Sequence, residues 1–354
     1  MARRFGTINK MSERFEDYNY AILGVGGIGK TTLAYEVGKI ITGNNEGTMI
    51  ITFGLENKPT HIPNAFADSA PTFGVFMEIV DDLVNNKADY PYTKFIALDS
   101  IDEMFRLADE KIVDDYNASV DFDKRIKSIK QAYGGYQAGE NKSIDLVLSC
   151  VGKLDAAGYK IIYIGHTKTK SKVDNMTGIT YEQLTCSADN KYYNAIKDKV
   201  NLVATGYYER DFKNLKQKDN PYTKEKGAIT TGELVGQRRS MSLVDDENVV
   251  DTKCHFEYIA PKIDFSAQSL INAVKEAIRT KIANTTEVHE AKPLPTPEED
   301  ELGKYRDAVR SKYRTCDDKK RSAVYTYLKE NNIVIDEASM DQLKLVMEQI
   351  DNVG

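Results

Sequence analysis

The apolar run at residues 20–23 leads directly into Gly24-Val25-Gly26-Gly27-Ile28-Gly29-Lys30-Thr31-Thr32, after which Leu33, Ala34, Val37, Ile40 and Ile41 recur at helical spacing. This is the pattern G-x-x-x-x-G-K-[ST] set between a strand and an amphipathic helix. Its physical basis is charge. A triphosphate carries several negative charges that must be approached closely, so glycines let backbone N–H groups face it while the helix N-terminus adds its dipole. Gly24, Gly26, Gly27, Ile28, Gly29, Lys30, Thr31 and Thr32 are therefore the expected ATP-binding residues. Lys30 is expected to reach the β and γ phosphates, and the Thr31 hydroxyl to hold Mg²⁺.

Further short apolar runs at residues 49–53, 95–98, 161–164 and 202–204 read as strands. Between them, residues 73–84, 101–116 and 144–157 have helical period. Buried strands alternating with helices predict an α/β fold with a mostly parallel sheet covered on both faces. Residues 239–244 and 254–259 read as added strands, and residues 266–282 as a closing helix with Asp264 or Ser266 near its cap. Residues 285–300 hold three prolines and no apolar period, the signature of an exposed linker. Beyond them, short helices are expected around residues 321–328 and 340–350. The expected organisation is a nucleotide-binding core over residues 1–284, a Pro-rich linker over 285–300 and a small helical appendage over 301–354.

A magnesium site also needs a carboxylate, and the run Phe95-Ile96-Ala97-Leu98 ends in Asp99, with Ser100 able to support it. Hydrolysis needs a group that orients or deprotonates water. Glu56, just after the strand at 49–53, is one candidate, and Glu103, in Asp99-Ser100-Ile101-Asp102-Glu103, is the other. His166 ends the run at 161–164, where sheet order would bring it near the γ phosphate as a neutral imidazole that senses the nucleotide.

Composition limits the setting. No run approaches the roughly 18 apolar residues that span a bilayer, and Met1-Ala2-Arg3-Arg4-Phe5 lacks the apolar core of a signal peptide. A cytoplasmic location is expected, that of the host if the chain is phage-encoded, with no membrane partner. Cys150, Cys186, Cys254 and Cys316 lie far apart with no C-x-x-C pair, which points to structural thiols. The net charge of −6 argues against a protein that simply coats nucleic acid, but its distribution is uneven. Residues 160–226 carry 13 Lys+Arg against 8 Asp+Glu, a local charge of +5, which leaves −11 to the rest.

Gly24 to Thr32, the Glu56 that follows the strand at 49–53, Asp99-Ser100 and the strand ending in His166 together resemble the RecA-like branch of P-loop ATPases. The likeness is nearer to the phage AAA-type proteins that include RecA-like single-strand annealing ATPases, and it covers roughly residues 18–265. It implies a RecA-like core, a homo-oligomer in ring or filament form, and a basic pair near the end of the core that reaches a neighbour's nucleotide. Lys253 matches the first member of that pair, but His255 stands where the second base belongs, so Arg238 and Arg239 are reserve candidates. The loop is also close to that of NB-ARC switch ATPases, yet Leu98-Asp99-Ser100 and Gly165-His166-Thr167 depart from their Leu-Asp-Asp and Thr-Thr-Arg motifs. MinD-like ATPases place a lysine where this chain has Val25, and an apolar residue cannot replace that charge.

In RecA-like proteins the segment after the sensor strand faces DNA. Here it runs over residues 167–190 and contains Lys168, Lys170, Lys172 and Tyr181. Lysines neutralise phosphates and a tyrosine stacks on a base, which is how single strands are bound without regard to sequence. The resemblance thus implies an ATPase that binds single-stranded DNA and assists phage recombination, annealing or replication. The C-terminal helices are expected to recruit a partner such as a single-strand-binding protein, to contribute to DNA binding, or to serve as a structural appendage. The alternative is a nucleotide-dependent switch or assembly ATPase that acts on a protein partner without binding DNA.

Overall fold

A computed structural model describes residues 11–54, 59–174, 176–218, 229–285 and 297–352. Along the chain, the strands are β1 (Tyr20–Gly24), β2 (Thr48–Phe53), β3 (Ala67–Ala70), β4 (Phe95–Asp99), β5 (Lys160–Val173), β6 (Thr180–Cys186), β7 (Leu202–Lys218), β8 (Ile229–Ser242) and β9 (Lys262–Asp264). The helices are α1 (Lys30–Thr42), α2 (Phe73–Asn85), α3 (Ile101–Ser119), α4 (Ala138–Ala156), α5 (Asn190–Lys197), α6 (Ala267–Thr285), α7 (Pro297–Thr315), α8 (Asp318–Glu330) and α9 (Met340–Asn352). The chain divides into two compact units, Met1–Thr286 and Glu287–Gly354.

In the first unit the sheet order is β3-β2-β4-β5-β1-β7-β8-β9, with β6 paired to β5. The pairs from β3 through β7 on this path are parallel, and β8 and β9 add antiparallel strands at the edge. Successive side chains of a strand point to opposite faces, and here both faces are apolar. Ala21, Leu23, Ile96, Leu98, Ile161 and Tyr163 enter a core with residues of α2, α3, α4 and α5. Tyr20, Ile22, Phe95, Ala97, Ile162 and Ile164 enter a second core with residues of α1 and α6. The continuous apolar runs follow from this double burial. The result is an α/β core with a mostly parallel sheet covered on both faces, as the alternation of runs and helical periods predicts.

Several elements differ from expectation, each for a physical reason. Strand β3, Ala-Asp-Ser-Ala, lies at the sheet edge and carries almost no apolar signal. Residues 254–259 form no strand beyond a single bridge from Cys254 to Leu202. There Phe256 and Ile259, three apart, are the buried residues while Tyr258 is exposed, which is the spacing of a turn rather than of a strand. Strands β5 and β7 run well past their apolar portions into two antiparallel ribbons, β5–β6 and β7–β8. Beyond the sheet edge the ladder hydrogen bonds suffice and no apolar face is required, so periodicity is silent. Within 167–190 the described residues are accordingly the outer part of β5, all of β6 with the turns that flank it, and the start of α5.

α6 opens at Ala267 with the Ser266 Oγ accepting from the Ser269 N–H, so Ser266 is the cap. In the second unit, α7, α8 and α9 enclose Val309, Val324, Ala338, Leu343, Val346 and Ile350. α7 begins at Pro297, inside the stretch read as linker, where proline suits a first helical turn because its missing N–H would have no partner. The rest of that stretch, 286–296, lies outside the described residues.

All four cysteines are free thiols. Burial pushes Cys150 up to about 11 and Cys186 up to about 12, and raises Cys254 as well. At pH 8 roughly one Cys150 in a thousand is then a thiolate, the reactive form. A disulfide reagent applied to the native protein is expected to modify Cys316 first and Cys254 more slowly. Cys150 and Cys186 are expected to react only after denaturant is added, and prompt release of four equivalents from native protein would contradict this.

Candidate functional site

The glycine-rich turn lies between β1, buried throughout, and α1. Ile28 is buried in the core beneath it, whereas Gly26 and Gly27 face solvent. Gly27 and Gly29 hold φ of +74° and +106°, a left-handed region that β-carbon-bearing residues rarely enter. Gly29 is also the N-cap of α1 and has no side chain to cap it. No side chain caps the helix there, and its N-terminal dipole favours an anion at the loop; Thr32 stands half-buried in that first turn.

Lys30 is 6% exposed. Its Nζ lies 3.1 Å from the Gly24 carbonyl and 3.3 Å from the Val25 carbonyl, so the ammonium is folded back under its own loop. It also lies 3.3 Å from His166 Nδ1. An ammonium only donates, so Nδ1 is the acceptor side of this contact. The sheet makes this meeting possible, because Gly24 and His166 are register partners in β1 and β5. Beside them, the Thr31 hydroxyl donates to Asp99 Oδ2 at 2.7 Å, joining the first turn of α1 to the end of β4.

The cluster fits a nucleotide polyphosphate and its metal. Uncapped N–H groups beside a buried ammonium suit an anion, and the Thr31 and Asp99 oxygens are the hard donors that Mg²⁺ takes. Thr31 and Asp99 would hold the ion between the loop and β4.

The remaining expected residues fare differently. Glu103, in the first turn of α3, is held by both oxygens to Arg106 Nε at 3.1 and 3.0 Å, with Arg106 Nη2 at 2.8 Å. The fork fixes the orientation of the carboxylate but leaves each oxygen a further lone pair. Glu103 Oε2 packs against Gly54, from which residues 55–58 lead off. Glu56 is among those four and lies outside the described residues.

Lys253 is not brought to the cluster. Its carbonyl pairs with Val203 N, its Nζ donates to the Asp198 carbonyl, and it stands at the start of β7, whereas the phosphate loop follows the other end of the sheet. Arg238 and Arg239 point to opposite faces of β8. Arg238 pairs with Glu209, which also takes Lys262, while Arg239 Nη1 donates to the Ile28 carbonyl of its own phosphate loop at 3.1 Å.

Lys168, Lys170 and Lys172 alternate along β5 and so share one face of the ribbon, with Tyr181 directly opposite Lys172. Lys170 is ion-paired to Asp251 at 2.9 Å, and Lys168 donates to the Ser187 carbonyl at 3.2 Å. Burial works against the charge of Asp251, but hydrogen bonds from Lys170 and the Thr185 hydroxyl outweigh it and hold the carboxyl below its usual range. No sequence signal pointed to Asp251, because it lies in an irregular segment 81 positions from its partner.

Among the described residues, no helix is long and apolar enough to cross a membrane. A family model described as an AAA domain matches residues 16–251. No curated protein matches the chain. The match spans β1, the phosphate loop, Asp99, His166 and both ribbons, which is more than half of the sequence, so the chain belongs to the AAA domain family and is a nucleotide-binding ATPase.

Proposed function

We propose that this protein is a magnesium-dependent, RecA-like ATPase of phage type that binds single-stranded DNA through the β5–β6 ribbon. It would serve recombination, annealing or replication in the cytoplasm as a ring or filament of identical subunits. The observation that carries the reading is the continuity of β5. The strand that sets His166 against Lys30 at the phosphate loop continues, without a break, into the basic face of Lys168, Lys170 and Lys172. At about 3.3 Å per residue the path from His166 to Lys172 is roughly 20 Å. A change in contacts at the γ phosphate is thereby joined to the ribbon by a rigid, hydrogen-bonded element.

In this scheme Lys30 holds the β and γ phosphates, and His166, neutral at Nδ1, reports on the terminal phosphate. Bound Mg²⁺ would neutralise charge on the phosphates from its place between Thr31 and Asp99. Glu56 is the base or water-orienting group of choice, with Glu103, paired to Arg106, as the alternative. Lys253, remote from its own loop, acts only on the nucleotide of a neighbouring copy. The helices of the second unit recruit a partner such as a single-strand-binding protein.

On the ribbon, Lys168 and Lys172 neutralise the backbone, Lys170 being paired to Asp251, and Tyr181, 41% exposed, offers a stacking surface. A fluorescent oligonucleotide titrated at several salt concentrations, with and without ATP and Mg²⁺, tests the reading. Binding should weaken steeply with salt, and Lys168→Glu combined with Lys172→Glu should reduce affinity by at least about tenfold. Absence of salt-dependent binding in every nucleotide state would sink the DNA reading and leave a switch ATPase acting on a protein partner.

A further inference from the structure

The loop that cradles the phosphates is held from behind by a residue of the β7–β8 ribbon. When backbone N–H groups converge on an anion, the carbonyls of the same peptides turn outward and need donors of their own. Here Arg239 Nη1 donates to the Ile28 carbonyl at 3.1 Å, and the Tyr208 hydroxyl lies 3.5 Å from the Gly27 carbonyl. Tyr208 and Arg239 are direct cross-strand partners. They stand just beyond Gly206, which is in register with Gly24 at the entrance to the loop.

The guanidinium is well placed for this task. It lies 5.9 Å from the centre of the Phe265 ring, and the Phe265 N–H donates to the Arg239 carbonyl at 3.2 Å. A β-carbon at Gly29 would come 3.3 Å from Arg239 Nη1, so the group rests against the bare backbone of the turn. Arg238, the neighbour in sequence, faces the other side of β8 and is neutralised by Glu209. Alternation along the strand therefore separates two adjacent arginines into an ion-paired one and one applied to the loop.

We propose that Arg239 is a positioning residue for nucleotide binding in its own subunit. It fixes the Ile28–Gly29 peptide so that the Gly29 N–H faces the triphosphate before the nucleotide arrives. Its contact is with the loop, not with the reacting atoms. This inference rests on the nucleotide chemistry of the family and not on the DNA reading, which can fail without affecting it.

The test is steady-state ATP turnover and binding of a fluorescent ATP analogue by the full-length protein with Arg239→Ala and Arg239→Lys. Removing one hydrogen bond from a charged donor should raise KM and Kd by about tenfold. At saturating ATP, kcat should stay within about threefold of the parent, because the bound triphosphate re-forms the cradle. Arg239→Lys keeps the charge and the stem but not the planar fork, so it should recover only part of the affinity. A fall in kcat with unchanged KM would mark a merely structural residue and overturn the proposal. So would turnover restored at sub-saturating ATP on mixing Arg239→Ala with Lys30→Ala subunits, since that complementation requires Arg239 to act across an interface.

Discussion

Replacing Lys30 with alanine is expected to lower ATP turnover by at least about 10²-fold, the scale of losing one preorganised charge-stabilising donor in a water-poor site. Lys30 is buried and its ammonium bridges the Gly24 and Val25 carbonyls and His166 Nδ1. The Arg239 guanidinium reaches the same loop only from behind, at the Ile28 carbonyl, and does not take the place of the Lys30 ammonium between Gly24, Val25 and His166. The truncation also leaves two loop carbonyls and the imidazole without their shared donor, which costs nucleotide affinity. Phosphate release measured at saturating ATP and Mg²⁺ gives the answer. A Lys30→Ala protein that turns over at the parent rate would remove this loop from the active site.

Asp99→Ala and Thr31→Ala should each reduce turnover by about 10²-fold, and the double variant should be little worse than the poorer single one. The reason is that both side chains would serve one ion. The Thr31 hydroxyl and Asp99 Oδ2 are 2.7 Å apart, so loss of either leaves the other without its partner at the same position. Residues that act as a unit give non-additive effects. A magnesium titration separates this from general damage to the fold, because the half-saturating Mg²⁺ concentration should rise in both single variants. Full turnover by Asp99→Ala with an unchanged magnesium requirement would show that β4 does not supply the carboxylate.

The residues that meet at the phosphate loop were legible because each carries a strong local pattern. Lys30 and Thr31 belong to one short motif, Asp99 ends a five-residue apolar strand, and His166 follows another. Parallel pairing then brings strand ends together at one edge of the sheet, so knowing the strands is nearly enough to know the meeting. Glu103 shows the limit of that logic. Its position near the end of β2 is where proximity predicts it, but its capture by Arg106 depends on a helical i,i+3 pair that its place in the site gives no reason to expect.

The ribbons were illegible for the opposite reason. Apolar periodicity records burial, and β5, β7 and β8 each continue where there is little to bury. Phe212, Leu234 and Val235 stand exposed on β7–β8, and Lys170 is tied to Asp251. Likewise, Lys253 matches a family position by order alone, yet it stands beside Val203 at the start of β7, whereas the phosphate loop follows Gly24, the partner of Gly206.

The chemistry of this protein is thus written in short windows: a turn that only glycines can make, a lysine and threonine after it, and a carboxylate closing a buried strand. Those properties are set by covalent geometry and by charge within a few residues, and no fold is needed to read them. Which cation serves the loop from outside is another matter. Arg239 and Ile28 are 211 positions apart, and two adjacent arginines differ in role only through the face of β8 to which each points. That face is fixed by the register of β8 on β7 and of β7 on β1, a long-range pairing set by the burial of the whole sheet.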